Sequence, residues 1–157
     1  MDTKKVKDLV IPLSEYPHMP YWGTLREAIA QLNVAFETGH HTILVFDESY
    51  KLVGMLLERD ILEGLSPRFA EHYKEGVPIL WDQLLKSGVE KQLDRPIKEF
   101  MSDVTATADP DDNTLKASHI MVDNNAYLLP VMDEDRLIGV VRMGDVFHQM
   151  TNAILEL

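Results

Sequence analysis

The stretch PVMDEDRLIGVVRMGD, Pro130–Asp145, decides the fold. An apolar run ends in the acidic turn DEDR, Leu137–Val141 reads as a returning strand, and Arg142–Asp145 is an abrupt polar edge where a helix starts. The same order occurs earlier, in TILVFDESYKLVGMLLERD at 42–60. Setting Val45 against Val131 aligns Asp47 with Asp133, and one extra residue in the first turn brings Gly54 to Gly139. From each glycine the spacing to the following aspartate, Asp60 or Asp145, is the same. Further out, Thr24-Leu25 in WGTLREAIAQL matches Thr114-Leu115 in DNTLKASHIMV, and VKDLV (6–10) matches IKEFM (97–101). So many landmarks in one order mark an internal duplication.

Composition bounds what such a duplicated chain does. Its 157 residues suit one domain or two small halves sharing a core. At 45% hydrophobic residues it has material for a packed interior and no character of disorder. The net charge of −11, from 26 acidic and 15 basic side chains, argues against a phosphate-backbone binder but leaves room for one small anionic ligand in a local pocket. With no cysteine there is no disulfide, thiolate chemistry or Cys-ligated metal. MDTKKVKDLVIPLSEYP lacks an apolar run of signal-peptide length, and no stretch approaches the roughly 18 apolar residues of a membrane span. The expectation is a cytoplasmic protein with neither nucleic-acid nor membrane partner.

Each repeat reads as a short entry segment, a helix, a strand, a turn, a strand and a helix. Asp112 or Asn113 suits a cap for the helix from Thr114, whose apolar face is expected to carry Leu115, Ile120, Met121 and Val122. The first-half helix places Leu25, Ala28, Ile29, Leu32 and Ala35 on one side and is expected to end near Gly39. TILVF and YLLPVM are continuous apolar runs, as in strands buried on both faces. Helices are expected at ERDILEGL and MGDVFHQMTNAIL. Residues 66–95 have no counterpart; ILWDQLLKSG has helical spacing, so a helical insertion is expected, over the paired halves or at a subunit contact. The boundaries expected are 1–65, 66–95 and 96–157.

On these residues the chain resembles a tandem pair of CBS (cystathionine beta-synthase) domains, the Bateman module. The second copy matches best, at Ile97, Met101, Pro130, Val131, Asp133, Gly139 and Asp145; the first has Leu44 at the proline position and Val10 at the methionine position. The resemblance implies an α/β fold of two β-α-β-β-α repeats packed as a pseudo-two-fold pair, and a homodimer. It also implies an adenosyl ligand (AMP, ADP, ATP or S-adenosylmethionine) in clefts between the repeats. In that pattern an aspartate accepts from the ribose hydroxyls and a Ser or Thr three residues earlier helps hold phosphate, which suits a carboxylate facing a vicinal diol at a strand-to-helix junction. The ribose positions are Asp60 and Asp145. The hydroxyl positions are Leu57, which cannot bind phosphate through its side chain, and Arg142, a candidate phosphate ligand. The adenine pocket would draw on Thr105, Ala106, Thr107, Tyr127, Leu128, Leu129 and Pro130 in the second copy, and on Thr42, Ile43 and the Tyr21-Trp22 region in the first.

Plainer readings stand beside these. Asp60 and Asp145 fall at helix starts, where a carboxylate stabilises the first turn, and Arg142 suits a surface ion pair. His40 and His41 are adjacent, so in an extended segment they point to opposite faces and make poor joint metal ligands. DPDDN (109–113) lacks the glycine and distal glutamate of a calcium loop and reads as a capping turn. No catalytic constellation or resident cofactor is legible. The reading is a non-enzymatic regulatory protein that signals to a separate effector protein, or else a dimerisation scaffold with ligand-free sites.

Overall fold

The computed structural model describes residues 4–72 and 89–157, those of 66–72 by their backbone alone. They form two compact units: the described residues of Met1–Tyr16 and Val104–Leu157, here the outer unit, and those of Pro17–Asp103, the inner unit. The strands are β1 (Ile11–Pro12), β2 (His18–Pro20), β3 (Thr42–Phe46), β4 (Leu52–Leu57), β5 (Leu128–Asp133) and β6 (Arg136–Arg142). The helices are α1 (Leu25–Ala35), α2 (Glu58–His72), α3 (Glu90–Leu93), α4 (Thr114–Asp123) and α5 (Met143–Leu155).

The inner sheet has the order β2-β3-β4, with β2 parallel and β4 antiparallel to β3. A bridge from Met55 to Ser102 adds one more extended residue beside β4. The outer sheet has the order β1-β6-β5, and a parallel bridge from Ala108 to Val131 extends it beyond β5. The two patterns superimpose on the sequence repeat residue by residue. Met19 faces Val45 as Ala108 faces Val131, and Ser102 faces Met55 as Ile11 faces Val140. Both hairpins shift register at the same place, after Val45 and after Val131.

The compact units cut across the linear repeat boundaries, because the entry segments are exchanged. VKDLV opens the first repeat in sequence but lies in the outer unit, where the Val6 N–H donates to the Asp112 carbonyl at 2.8 Å and Val6 is fully buried. IKEFM precedes the second repeat but lies in the inner unit, where the Ile97 N–H donates to the Gly23 carbonyl at 2.8 Å and Ile97 is fully buried. The repeat glycines follow from this. A Cβ at Gly139 would run into the Ile11 carbonyl oxygen, and one at Gly54 would meet Met101 Sδ at 2.7 Å and the Ser102 carbonyl oxygen at 3.0 Å. Each glycine lets an exchanged segment pass against its strand.

Local chemistry sets the element ends. Thr24 Oγ1 accepts from the Glu27 N–H at 3.2 Å and caps α1, which runs through a 3-10 turn to Gly39 at φ 77°. Asn113, rather than Asp112, caps α4, accepting from the Lys116 N–H at 2.8 Å. Asp112 instead pairs with Lys116 Nζ at 2.9 Å, which raises the pKa of that lysine. DPDDN is thus a capping turn, and no metal-holding cluster occurs among the described residues. Met121 is buried as expected, but Leu115 and Val122, expected on the same face of α4, are exposed; Thr114 and Ala117 are buried in their place. α2 runs on to His72, past the boundary expected at 65. The helical spacing of ILWDQLLKSG lies outside the described residues.

Each unit has its own core. The inner one joins Leu25, Ala28, Ile43, Val45, Leu56 and Ile97, with Met101 against it. The outer one joins Val6, Ala117, Met121, Leu129, Val131 and Val141, with Met143 and Met150 against it. The methionines serve as packing residues there. Among the described residues no helix is long and apolar enough to cross a membrane.

Candidate functional site

Asp60 and Asp145 occupy the same position, the third residue of the helix that follows the hairpin, in α2 and α5 respectively. Their surroundings differ. Asp60 is buried and both of its oxygens are engaged: Oδ2 accepts from the Leu57 N–H at 2.9 Å, and Oδ1 accepts from Ser102 Oγ at 2.7 Å. The first bond closes the α2 N-terminus as in a capping box. The second ties the exchanged segment to that corner. Leu57 lies opposite Thr42 in the sheet, and Thr42 and Ile43 are buried. The Tyr21-Trp22 pair, expected at this site, lies instead at the other end of β3, where the Tyr21 N–H donates to the Phe46 carbonyl at 2.9 Å; its rings meet edge to face at 5.1 Å, and Trp22 is exposed. Glu48, hydrogen-bonded to the Tyr21 phenol and adding its negative charge, raises the pKa of that tyrosine.

In the outer unit the residue equivalent to Ser102 is Ile11, which has no hydroxyl to offer. Asp145 takes its partner from the position equivalent to Leu57. Arg142 Nε donates to Oδ2 at 2.9 Å and Nη2 donates to Oδ1 at 3.2 Å, a two-point contact between side chains each about one-third exposed, at 31% and 33%. Two residues expected at the second site, Tyr127 and Leu128, lie next to this pair. Arg142 lies opposite Leu128 in the β5–β6 ladder, and the Met143 N–H donates to the Tyr127 carbonyl at 2.8 Å. The Ala108 N–H donates to the Pro130 carbonyl at 2.9 Å, so the residue that follows Thr105, Ala106 and Thr107 is tied to β5. Thr105, Thr107 and Tyr127 are exposed; Leu128, Leu129 and Pro130 are buried.

A cavity of about 370 Å³ lies elsewhere, in the inner unit between α1 and α2. It is lined mainly by apolar side chains such as Ile29, Leu32, Phe36 and Ile61, and none of the expected site residues borders it. His40 and His41 both line it, where an extended reading sets them on opposite faces. His41 Nδ1 lies 2.6 Å from Glu58 Oε1. Sequence reasoning misses this cavity because its walls come from two helices separated by a hairpin, each of which reads only as an amphipathic helix.

Two β-α-β-β-α units with a carboxylate at each strand-to-helix corner define a duplicated α/β module. The CBS domain family matches residues 23–67 and 97–152, together more than half of the chain, and the protein belongs to this family. A relative, the CBS domain-containing protein YhcV of Bacillus subtilis (strain 168), is 33% identical over 58 residues, covering 36% of this chain and 41% of that protein. Among solved structures, CBSX2 from Arabidopsis thaliana superimposes with TM-score 0.69 at 17% identity, covering 96% of each chain. The structure of CBSX2 in complex with AMP gives 0.66 at 18% identity, over 96% of this chain and 98% of that one. The CBS domain pair of MJ0100, in complex with 5′-methylthioadenosine and S-adenosyl-L-methionine, gives 0.67 at 20% identity, over 96% and 98%. At these identities the likeness establishes the fold.

Proposed function

We propose that this protein is a non-enzymatic regulatory CBS pair that binds an adenosyl ligand at the Arg142–Asp145 corner of the outer unit. The observation that carries the reading is the state of Asp145: its carboxylate stays one-third exposed at the β6–α5 junction, whereas Asp60 is buried and spent on Leu57 and Ser102. The complexes of CBSX2 with AMP and of MJ0100 with two adenosyl compounds support the ligand class. Asp145 would accept from the ribose hydroxyls, Arg142 would hold phosphate, and Thr105–Thr107 with Tyr127 would border the base. Asp60, Thr42 and Ile43 form a structural corner in this reading rather than a second ligand site. A ligand with different affinity for two arrangements shifts their populations, and the signal passes to an effector protein, with the CBS pair acting as a cytoplasmic homodimer.

Thermal melting tests it. AMP, ADP, ATP and S-adenosylmethionine at millimolar concentration are added to the wild type and to Asp145→Ala. A bound ligand raises the midpoint by mass action. At least one should do so with the wild type, and Asp145→Ala should lose most of the shift. No shift with any of them favours a dimerisation scaffold with ligand-free sites. The saturated Asp60 and the Arg142 guanidinium seated on Asp145 are the observations on that side.

A further inference from the structure

We propose that the hairpin end of the inner sheet, where Tyr21, Trp22, Phe46 and Tyr50 gather beside Glu48, is a docking surface for an arginine-bearing segment of a partner protein. The inference gives a chemistry to the effector of the regulatory reading and rests on that reading only for there being one. Direct contacts join the patch. The Tyr50 ring stacks on Phe46 with centroids 5.1 Å apart. The Tyr21 N–H donates to the Phe46 carbonyl, the Tyr21 phenol is hydrogen-bonded to Glu48, and Trp22 meets the Tyr21 ring edge to face. Trp22 stays 55% and Tyr50 66% exposed, so both rings are open to a partner. Tyr50 also sits at φ 62°, a left-handed backbone that glycine or asparagine adopts at less cost. An aromatic residue held on the surface at that cost points to a binding role. Charge selects the occupant. Glu48 is exposed and the chain carries −11, so a cationic segment is attracted. Asp47 is spent on the turn, its Oδ1 accepting from the Ser49 and Lys51 N–H groups. A guanidinium can stack on an aromatic ring and pair with a carboxylate through two N–H groups, where an ammonium is only a point charge. The chain itself shows the cation–ring contact, with Lys98 Nζ 5.6 Å from the Tyr21 centroid. The outer hairpin turn carries Asp133, Glu134 and Asp135 but no aromatic residue, so it has the charge without the rings.

Fluorescence anisotropy of the full chain with a labelled Gly-Arg-Ser repeat peptide, and with its Gly-Lys-Ser and Gly-Gln-Ser counterparts, tests the inference. The arginine peptide should bind at least about 3-fold tighter than the lysine peptide of equal charge, and the glutamine peptide should not bind. Glu48→Gln and Tyr50→Asn should each weaken the arginine peptide at least about 3-fold. Glu134→Gln removes the same charge from the outer hairpin and should change it by less than about 1.5-fold. Tyr50→Asn places a residue suited to the left-handed turn, and Trp22→Ala, at an exposed side chain, should show the same loss should that variant not fold. Equal binding of the arginine and lysine peptides overturns the inference, as does an equal loss in Glu48→Gln and Glu134→Gln, which would mark a general response to negative charge. No binding of the arginine peptide at millimolar concentration overturns it too. Peptide binding that obeys these ratios while no adenosyl ligand shifts the melting midpoint supports the surface and counts against the ligand site alone.

Discussion

Asp60 and Asp145 show how two neighbouring substitutions give one repeated position two different roles. Where the corner offers a serine and a leucine, the carboxylate turns inward and becomes a staple; where it offers an isoleucine and an arginine, it turns to the guanidinium. Ser102→Ala removes a hydroxyl donor from a buried carboxylate and is expected to lower stability by about 1–3 kcal/mol, read from the urea midpoint. A change within about 0.3 kcal/mol would show that the Ser102 bond contributes nothing net. The glycines divide in the same way. Gly139→Ala forces a Cβ against the Ile11 carbonyl and should cost about 1–3 kcal/mol. Gly144 lies in the first turn of α5 with open space around its Cβ position, so Gly144→Ala should stabilise by up to about 1 kcal/mol. Equal effects at the two glycines would contradict this account of the crossing segment.

At the scale of elements, the exchanged entry segments matter most. Val6 and Ile97 are each fully buried in a core built from the other repeat's helices and strands. Ile97→Ala should destabilise by about 2–5 kcal/mol, as for other buried large-to-small changes. A sharper check uses fragments. A chain of residues 17–103 contains every described part of the inner unit and should unfold cooperatively in urea. A chain of residues 1–65, the linear first repeat, lacks Ile97 and Ser102 and should not. Cooperative unfolding of 1–65 would show that the exchange is dispensable. The repeat itself was legible in the sequence because a strand-turn-strand-helix unit leaves glycines, aspartates and apolar runs at fixed spacings. The exchange was not, because VKDLV and IKEFM pair through backbone groups that any residues possess.

For the molecule as a whole, charge is the main term outside the two cores. With a net charge of −11, self-repulsion opposes the compact state. The ion pairs at the surface, such as Arg59–Glu63 and Arg26–Asp94, are exposed and contribute little. Raising sodium chloride from about 20 mM to about 500 mM shortens the screening length well below 10 Å and should raise the melting midpoint. A falling midpoint would mean that attractive pairs outweigh the repulsion.

By itself the sequence determined the duplication, the order of elements in each repeat, the end of the first helix at Gly39 and the two aspartate corners. All of these follow from local chemistry: period, turn residues and side chains that bond to their own backbone. The tertiary structure alone decided which entry segment joins which sheet, why Gly54 and Gly139 must be glycine, and which aspartate keeps an accessible carboxylate. Those depend on residues far apart in the chain, Ser102 against Asp60 and Ile11 against Gly139, whose contact no local pattern records.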